Sequence, residues 1–137
     1  MDWITEDIAI GNYVEAGDGD LLRKHSIRSI LGLIRTLQRK DPAELGLTRI
    51  EMVPLVDGPG NDSRLFQRAV TTLTDLVQAA PPVLVHCQAG RSRSIVVVAG
   101  YLMKSLGIDV DEALARVSAK REGYVSPDLT SLLDGLM

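Results

Sequence analysis

The chain has 137 residues, of which 45% are hydrophobic and 24% charged. That suits one globular domain and excludes both a disordered chain and two comfortable cores. A net charge of −3 excludes a global basic field for nucleic acid, so any attraction for phosphate has to be local; one cysteine and two histidines exclude an internal disulfide and a structural zinc site.

The opening MDWITEDIAIG is acidic and has neither the basic start nor the apolar core of a signal peptide. Ile4 to Val14 is short and mixed, with alternation around Ile8 and Ile10, and suits an edge strand. Gly17 to Gly19 forms a turn, and Asp20 to Lys24 one helical turn with Leu21 and Leu22 facing inward. Ile27 to Ile34 is β-rich and apolar, a buried strand. Arg35 to Gly46 is a polar loop with a short helix at Pro42 to Leu45. Arg49 to Val56 is a further strand, and Asp57 to Asn61, "DGPGN", a loop. From Phe66 to Val77 apolar residues recur at helical spacing; Asn61, Asp62 or Ser63 caps that helix and Pro81-Pro82 ends it. Val83 to Val85 is a short central strand. Asp109 with Glu112 resembles a capping box for a helix through about Lys120, and Pro127 to Leu136 is a final helix.

Between these lies Ile95 to Met103, the longest apolar run at nine residues, well below a membrane span. Its start, Ile-Val-Val-Val, favours a strand by propensity. The stretch from Ser94 to Leu106 has helical length, however, and stops at Gly107, a good C-cap. We read a buried helix, apolar all round. Alternating strands and helices predict a single α/β domain over residues 1–137, with a mostly parallel central sheet of about four or five strands flanked by helices. A soluble protein of a reducing compartment, the cytoplasm, is expected, with no stable membrane insertion and no nucleic-acid partner.

The cysteine stands where ligands gather in such sheets, between a strand end and a helix start. In His86-Cys87-Gln88-Ala89-Gly90-Arg91-Ser92-Arg93-Ser94, Gly90 permits a positive φ. Backbone N–H groups from Gln88 to Arg93 can then converge as an anion nest at the helix N-terminus. Arg93 suits the rim, because its planar fork binds two phosphate oxygens together. Helix termini and cations lower a thiol pKa from about 8.5 to roughly 3.5–7.5, so Cys87 is expected as a thiolate nucleophile acting through a cysteinyl-phosphate. Ser94 can donate a hydrogen bond to the sulfur and ease its departure. His86 supports the loop by bonding nearby backbone, or is simply a satisfied core histidine. Arg91 is either a solvated side chain or a second cation for a polyanionic substrate. The leaving oxygen needs a proton. Asp57, thirty residues before the cysteine and just after a strand, is the candidate acid, with Asp62 as its rival.

The nine residues from His86 to Ser94 resemble the H-C-x-x-G-x-x-R-S signature of the cysteine-dependent protein tyrosine phosphatase superfamily. The short chain and the end of the motif resemble its dual-specificity branch, as do "ITEDIAIGNY" at Ile4 to Tyr13 and the "P-x-x-D" of Pro54 to Asp57. The resemblance implies a metal-free and cofactor-free hydrolase of phosphotyrosine, phosphoserine and phosphothreonine in proteins. It also implies that phosphate-like anions occupy the loop. The tryptophan-bearing acid loop of larger tyrosine-specific relatives is replaced by Val56-Asp57-Gly58, which points to a shallow site. An alternative is a phospholipid phosphatase: "QAGRSRS" resembles the loop of a mitochondrial lipid phosphatase of this branch, which carries lysine where Gln88 stands. Arg35, Arg39 and Lys40 could flank such a site. A non-catalytic phosphate-binding module is the third reading.

Overall fold

The computed structural model describes residues 1–35 and 40–136. Five strands form one sheet: β1 (Asp2–Thr5), β2 (Ile8–Gly11), β3 (Ser29–Gly32), β4 (Arg49–Met52) and β5 (Val83–His86), in the order β1-β2-β5-β3-β4. Only β1 runs antiparallel to its neighbour. The helices are α1 (Tyr13–Ala16), α2 (Gly19–Lys24), α3 (Ser63–Ala79), α4 (Arg93–Leu106), α5 (Val110–Ser118) and α6 (Pro127–Asp134), with a 3₁₀ turn at Pro42–Leu45. The expected α/β fold with a mostly parallel sheet is the one observed.

Side chains alternate across a strand, so each strand serves two layers. Ile8 and Ile10, Leu31 and Leu33, Val83 and Val85 face one core with α3 to α6. Ala9, Ile30 and Leu84 face the other, under Ala16, Leu22, Leu45 and Leu47. Helix α4 lies in the larger core against α3, α5 and α6. Its β-branched start is fully buried on every side from Ile95 to Val98. Tertiary burial thus overrides strand propensity, since each such side chain contributes about 1.5–3 kcal/mol when taken from water. The helix is not apolar all round: Lys104, Ser105 and Leu106 are exposed in its last turn.

The expected edge strand from Ile4 to Val14 is instead a hairpin and a helix. Glu6 and Asp7 make the turn, with the Asp7 N–H on Thr5 Oγ1 at 3.1 Å, and β2 becomes an interior strand buried at all four residues. Ala9 is small enough for the second layer to close over it. Val14 falls in α1, opened by a capping box between Asn12 and Glu15. The other differences are shorter ends: β3, β4, α5 and α6 each stop inside the expected range. Asp62 caps α3 through the Arg64 N–H at 2.8 Å, and Asp109 caps α5 through the Glu112 N–H at 2.8 Å.

Candidate active site

The carboxyl ends of β2, β3, β4 and β5 share one edge of the sheet. There His86 pairs across to Gly11 on one side and Gly32 on the other. Cys87 follows, 1% exposed, and the chain turns over residues 88–92 into α4. Gly90 takes φ 69°. A Cβ there would lie 2.3 Å from the Gly11 carbonyl oxygen and 2.8 Å from Arg121 Nη2, so glycine is required both for conformation and for space.

Most carbonyls along this stretch are held by groups outside the loop, the exceptions being Cys87 O, which faces the neighbouring His86 ring, and Ser92 O, which accepts the first bond of α4. His86 O accepts from the Leu33 N–H at 2.9 Å, Gln88 O from the Tyr13 N–H at 3.1 Å, Arg91 O from the Tyr124 N–H at 3.0 Å and Ser92 O from the Val96 N–H at 3.1 Å. Ala89 O and Gly90 O accept from Arg121 Nη2 at 3.0 Å and Nε at 2.9 Å. The Cys87 carbonyl lies 3.2 Å from His86 Nδ1. A peptide plane whose C=O points outward points its N–H inward. The N–H groups of residues 88–92 have no carbonyl partner among the described residues, which is the anion nest the sequence predicts.

The thiol sits at the base of this nest, and Ser94 Oγ lies 3.1 Å from Cys87 Sγ as a donor. Burial pushes the thiol up. The Ser94 hydroxyl and N–H, the Arg93 guanidinium and the Gly90 N–H together outweigh burial and hold it below its ordinary range. Arg93 is 9% exposed. Its Nη1 donates to Leu55 O at 3.2 Å, and its Nε has no protein partner among the described residues. A buried cation with an idle donor is the arrangement that a bound oxyanion completes. His86 is buried and its pKa is lowered by burial, with the Cys87 carbonyl opposing and Arg93 reinforcing the shift. It is therefore a neutral ring packed beneath the loop.

Asp57 arrives from β4. After Met52 the chain keeps two bonds to the β3 side, Val53 N–H to Gly32 O and Leu55 N–H to Leu33 O, both at 2.9 Å. Asn61 then clamps the DGPGN loop through the Val56 N–H and carbonyl, each at 2.7 Å. Asp57 is thus carried to the mouth of the nest, where its Oδ1 accepts from Ser92 Oγ at 2.8 Å. Ser92 occupies the N-cap of α4 but makes no capping bond; its hydroxyl serves the carboxylate instead. Asp62 is engaged as the cap of α3. Of the proposed flanking cations, Arg35 is exposed and Lys40 lies 3.8 Å from Glu44, while Arg39 lies outside the described residues; Arg91 is exposed on the loop itself.

Sequence reasoning missed Arg121. It emerges just after α5, its side chain only 10% exposed, and besides the two loop carbonyls it reaches Asp2 Oδ2 at 3.1 Å. Lodged among charged residues in "AKREGY", it carries no periodic signal. Only the fold brings it beneath a loop some thirty positions earlier in the chain.

A lowered thiol in a backbone nest, a buried guanidinium and a carboxylate at the mouth define a cysteine-dependent phosphatase. The family model described as "Dual specificity phosphatase, catalytic domain" matches residues 8–133, and the chain belongs to that family. It is 30% identical over 132 residues to dual specificity protein phosphatase 1B of Arabidopsis thaliana, covering 95% of this chain and 77% of that protein. It is 32% identical over 120 residues to dual specificity protein phosphatase Mpk3 of Drosophila melanogaster, covering 87% of this chain but only 29% of that longer protein. Among solved structures, a mouse putative dual specificity phosphatase complexed with zinc tungstate superposes with a TM-score of 0.84 at 26% identity, covering 98% of this chain and 84% of that one.

Proposed function

We propose that the domain hydrolyses phosphotyrosine, phosphoserine and phosphothreonine monoesters of proteins through a cysteinyl-phosphate. The observation that carries this reading is the run of outward-held carbonyls around a lowered thiol. In the first step the Cys87 thiolate attacks phosphorus and an S–P bond forms. The ester P–O bond breaks, and Asp57 gives its proton to the leaving oxygen. In the second step Asp57 takes a proton from water, the hydroxide oxygen bonds to phosphorus, and the S–P bond breaks to release inorganic phosphate and thiolate. Charge on the three equatorial oxygens is met by the inward N–H groups and by Arg93. Ser94 stabilises the departing sulfur. Oδ1 of Asp57 is occupied by Ser92, which leaves Oδ2 to carry the proton.

The same reading places the domain in a reducing compartment such as the cytoplasm, since the nucleophile has to stay a thiol. No described helix is long and apolar enough to cross a membrane. The test compares a phosphotyrosine peptide, a phosphothreonine peptide and a phosphoinositide, with and without EDTA. Peptide hydrolysis that resists EDTA and vanishes in Cys87→Ser supports the reading. Hydrolysis of the lipid alone overturns the substrate class, and a requirement for added divalent metal overturns the mechanism.

A further inference from the structure

Beside the loop opens a cleft of about 650 Å³. One side is formed by Asp57 and the loop residues Ala89, Arg91 and Ser92; the far wall is the segment from Glu122 to Asp128. This wall is fixed relative to the phosphate nest. The Tyr124 N–H donates to the Arg91 carbonyl at 3.0 Å. Gly123 packs so closely that a Cβ there would lie 2.3 Å from the same carbonyl oxygen and 2.4 Å from Ile95 Cδ1. Glu122 and Tyr124 are therefore presented at a set offset from the thiol. Neither has a part in the chemistry, and neither is in the core: Tyr124 is 74% exposed.

We propose that this wall is a specificity subsite that selects phosphoproteins with a lysine or arginine next to the phosphorylated residue. The inference rests on the protein-phosphatase reading above and narrows its substrate class. Apart from the catalytic Asp57, two carboxylates, Glu122 and Asp128, border the cleft with one cation, Arg91. Arg91 belongs to the loop and Glu122 and Asp128 to the neighbouring segment, and none of the three is engaged in an ion pair among the described residues. The exposed Tyr124 ring on the same wall adds a second feature that favours the same partner, because a cation over a tyrosine face is attracted by its quadrupole. A second phosphate, or an inositol polyphosphate, would meet two carboxylates there and be repelled.

The test uses two phosphotyrosine peptides identical except for lysines or glutamates at the flanking positions, plus a phosphoinositide. Each enzyme's kcat/KM is referred to its own value on para-nitrophenyl phosphate. Wild type is expected to favour the lysine peptide about tenfold at low ionic strength, less as salt is added. Glu122→Gln with Asp128→Asn should bring the ratio near one, and Glu122→Lys with Asp128→Lys should invert it; Tyr124→Ala should lower the rate on the lysine peptide more than on the glutamate peptide. Equal rates on both peptides, or a preference that survives the charge substitutions, overturns the subsite alone. Failure on both peptides with turnover of the phosphoinositide overturns the protein-phosphatase reading as well.

Discussion

Arg121→Ala tests the idea that the nest is held open from behind. The substitution removes the donors to the Gly90 and Ala89 carbonyls, at 2.9 and 3.0 Å. A hydrogen bond from a charged donor contributes about 1.5–3 kcal/mol. The Gly90 bond is half-buried and takes about 2 kcal/mol of this range, while the exposed Ala89 bond, which water can replace, takes about 1 kcal/mol. The pair with Asp2 adds little, because that carboxylate is 47% exposed. The total of about 3 kcal/mol divides between fold stability and loop order. Were all of it lost from the loop, oxyanion affinity would fall about a hundredfold, at 1.4 kcal/mol per tenfold. An even split gives roughly a tenfold loss of affinity and a drop of about 5 °C in Tm. The assay is competitive inhibition by vanadate and by phosphate against para-nitrophenyl phosphate, with thermal melts alongside. Arg121→Lys should fall between, since an ammonium keeps the charge but not the fork that spans two carbonyls. If Arg121→Ala binds vanadate within twofold of wild type, the outward-carbonyl account of the nest is wrong.

Four further outcomes follow from the site. Ser94→Ala removes a donor that favours the thiolate, so the acid limb of kcat/KM and the pH dependence of iodoacetamide inactivation should both move to higher pH, and breakdown of the cysteinyl-phosphate should slow. Because the folded thiol is held below its unfolded value, its stabilising contribution is present at high pH and lost as pH falls through the folded value; denaturant midpoints of wild type and Cys87→Ser should diverge over that window. His86 is held neutral by burial, so the unfolded chain binds a proton the folded one refuses, and stability should fall as pH drops below about 6.5, a slope that His86→Gln should flatten. Ser92→Ala frees the Asp57 carboxyl to rotate, so kcat/KM should fall about tenfold for esters with poor leaving groups and little for para-nitrophenyl phosphate, a part of the roughly 10²–10⁴ that a whole general acid contributes; equal losses on both would show that Ser92 does not position the acid.

The parts of the site that were legible in the sequence are those whose geometry is local. From His86 to Ser94 the strand end, the glycine and the helix start fix one another within nine residues, so spacing alone relates thiol, nest and guanidinium. Asp57 was legible because a strand in this class of sheet delivers its following loop to the same edge. Arg121 was not, because nothing near it in sequence distinguishes a buried arginine from a solvated one. The bond from Ser92 to Asp57 was equally invisible: a serine before a helix reads as its cap, and only the approach of a second loop diverts the hydroxyl. The hairpin at the N-terminus failed for a different reason. Ile8-Ala9-Ile10 alternates large and small, which an edge strand and an interior strand beneath a thin second layer satisfy equally well.

The inward N–H groups have a thermodynamic counterpart. Peptide dipoles converging without an anion repel one another, so any tetrahedral oxyanion that enters the nest binds the folded chain and not the unfolded one. Inorganic phosphate, the product of the proposed reaction, is therefore also a ligand of folding: at a hundred times its dissociation constant it would add about 2.7 kcal/mol to stability. The same contact would inhibit turnover. An enzyme of this design is most robust when it is least active, and phosphate concentration sets both properties through a single loop.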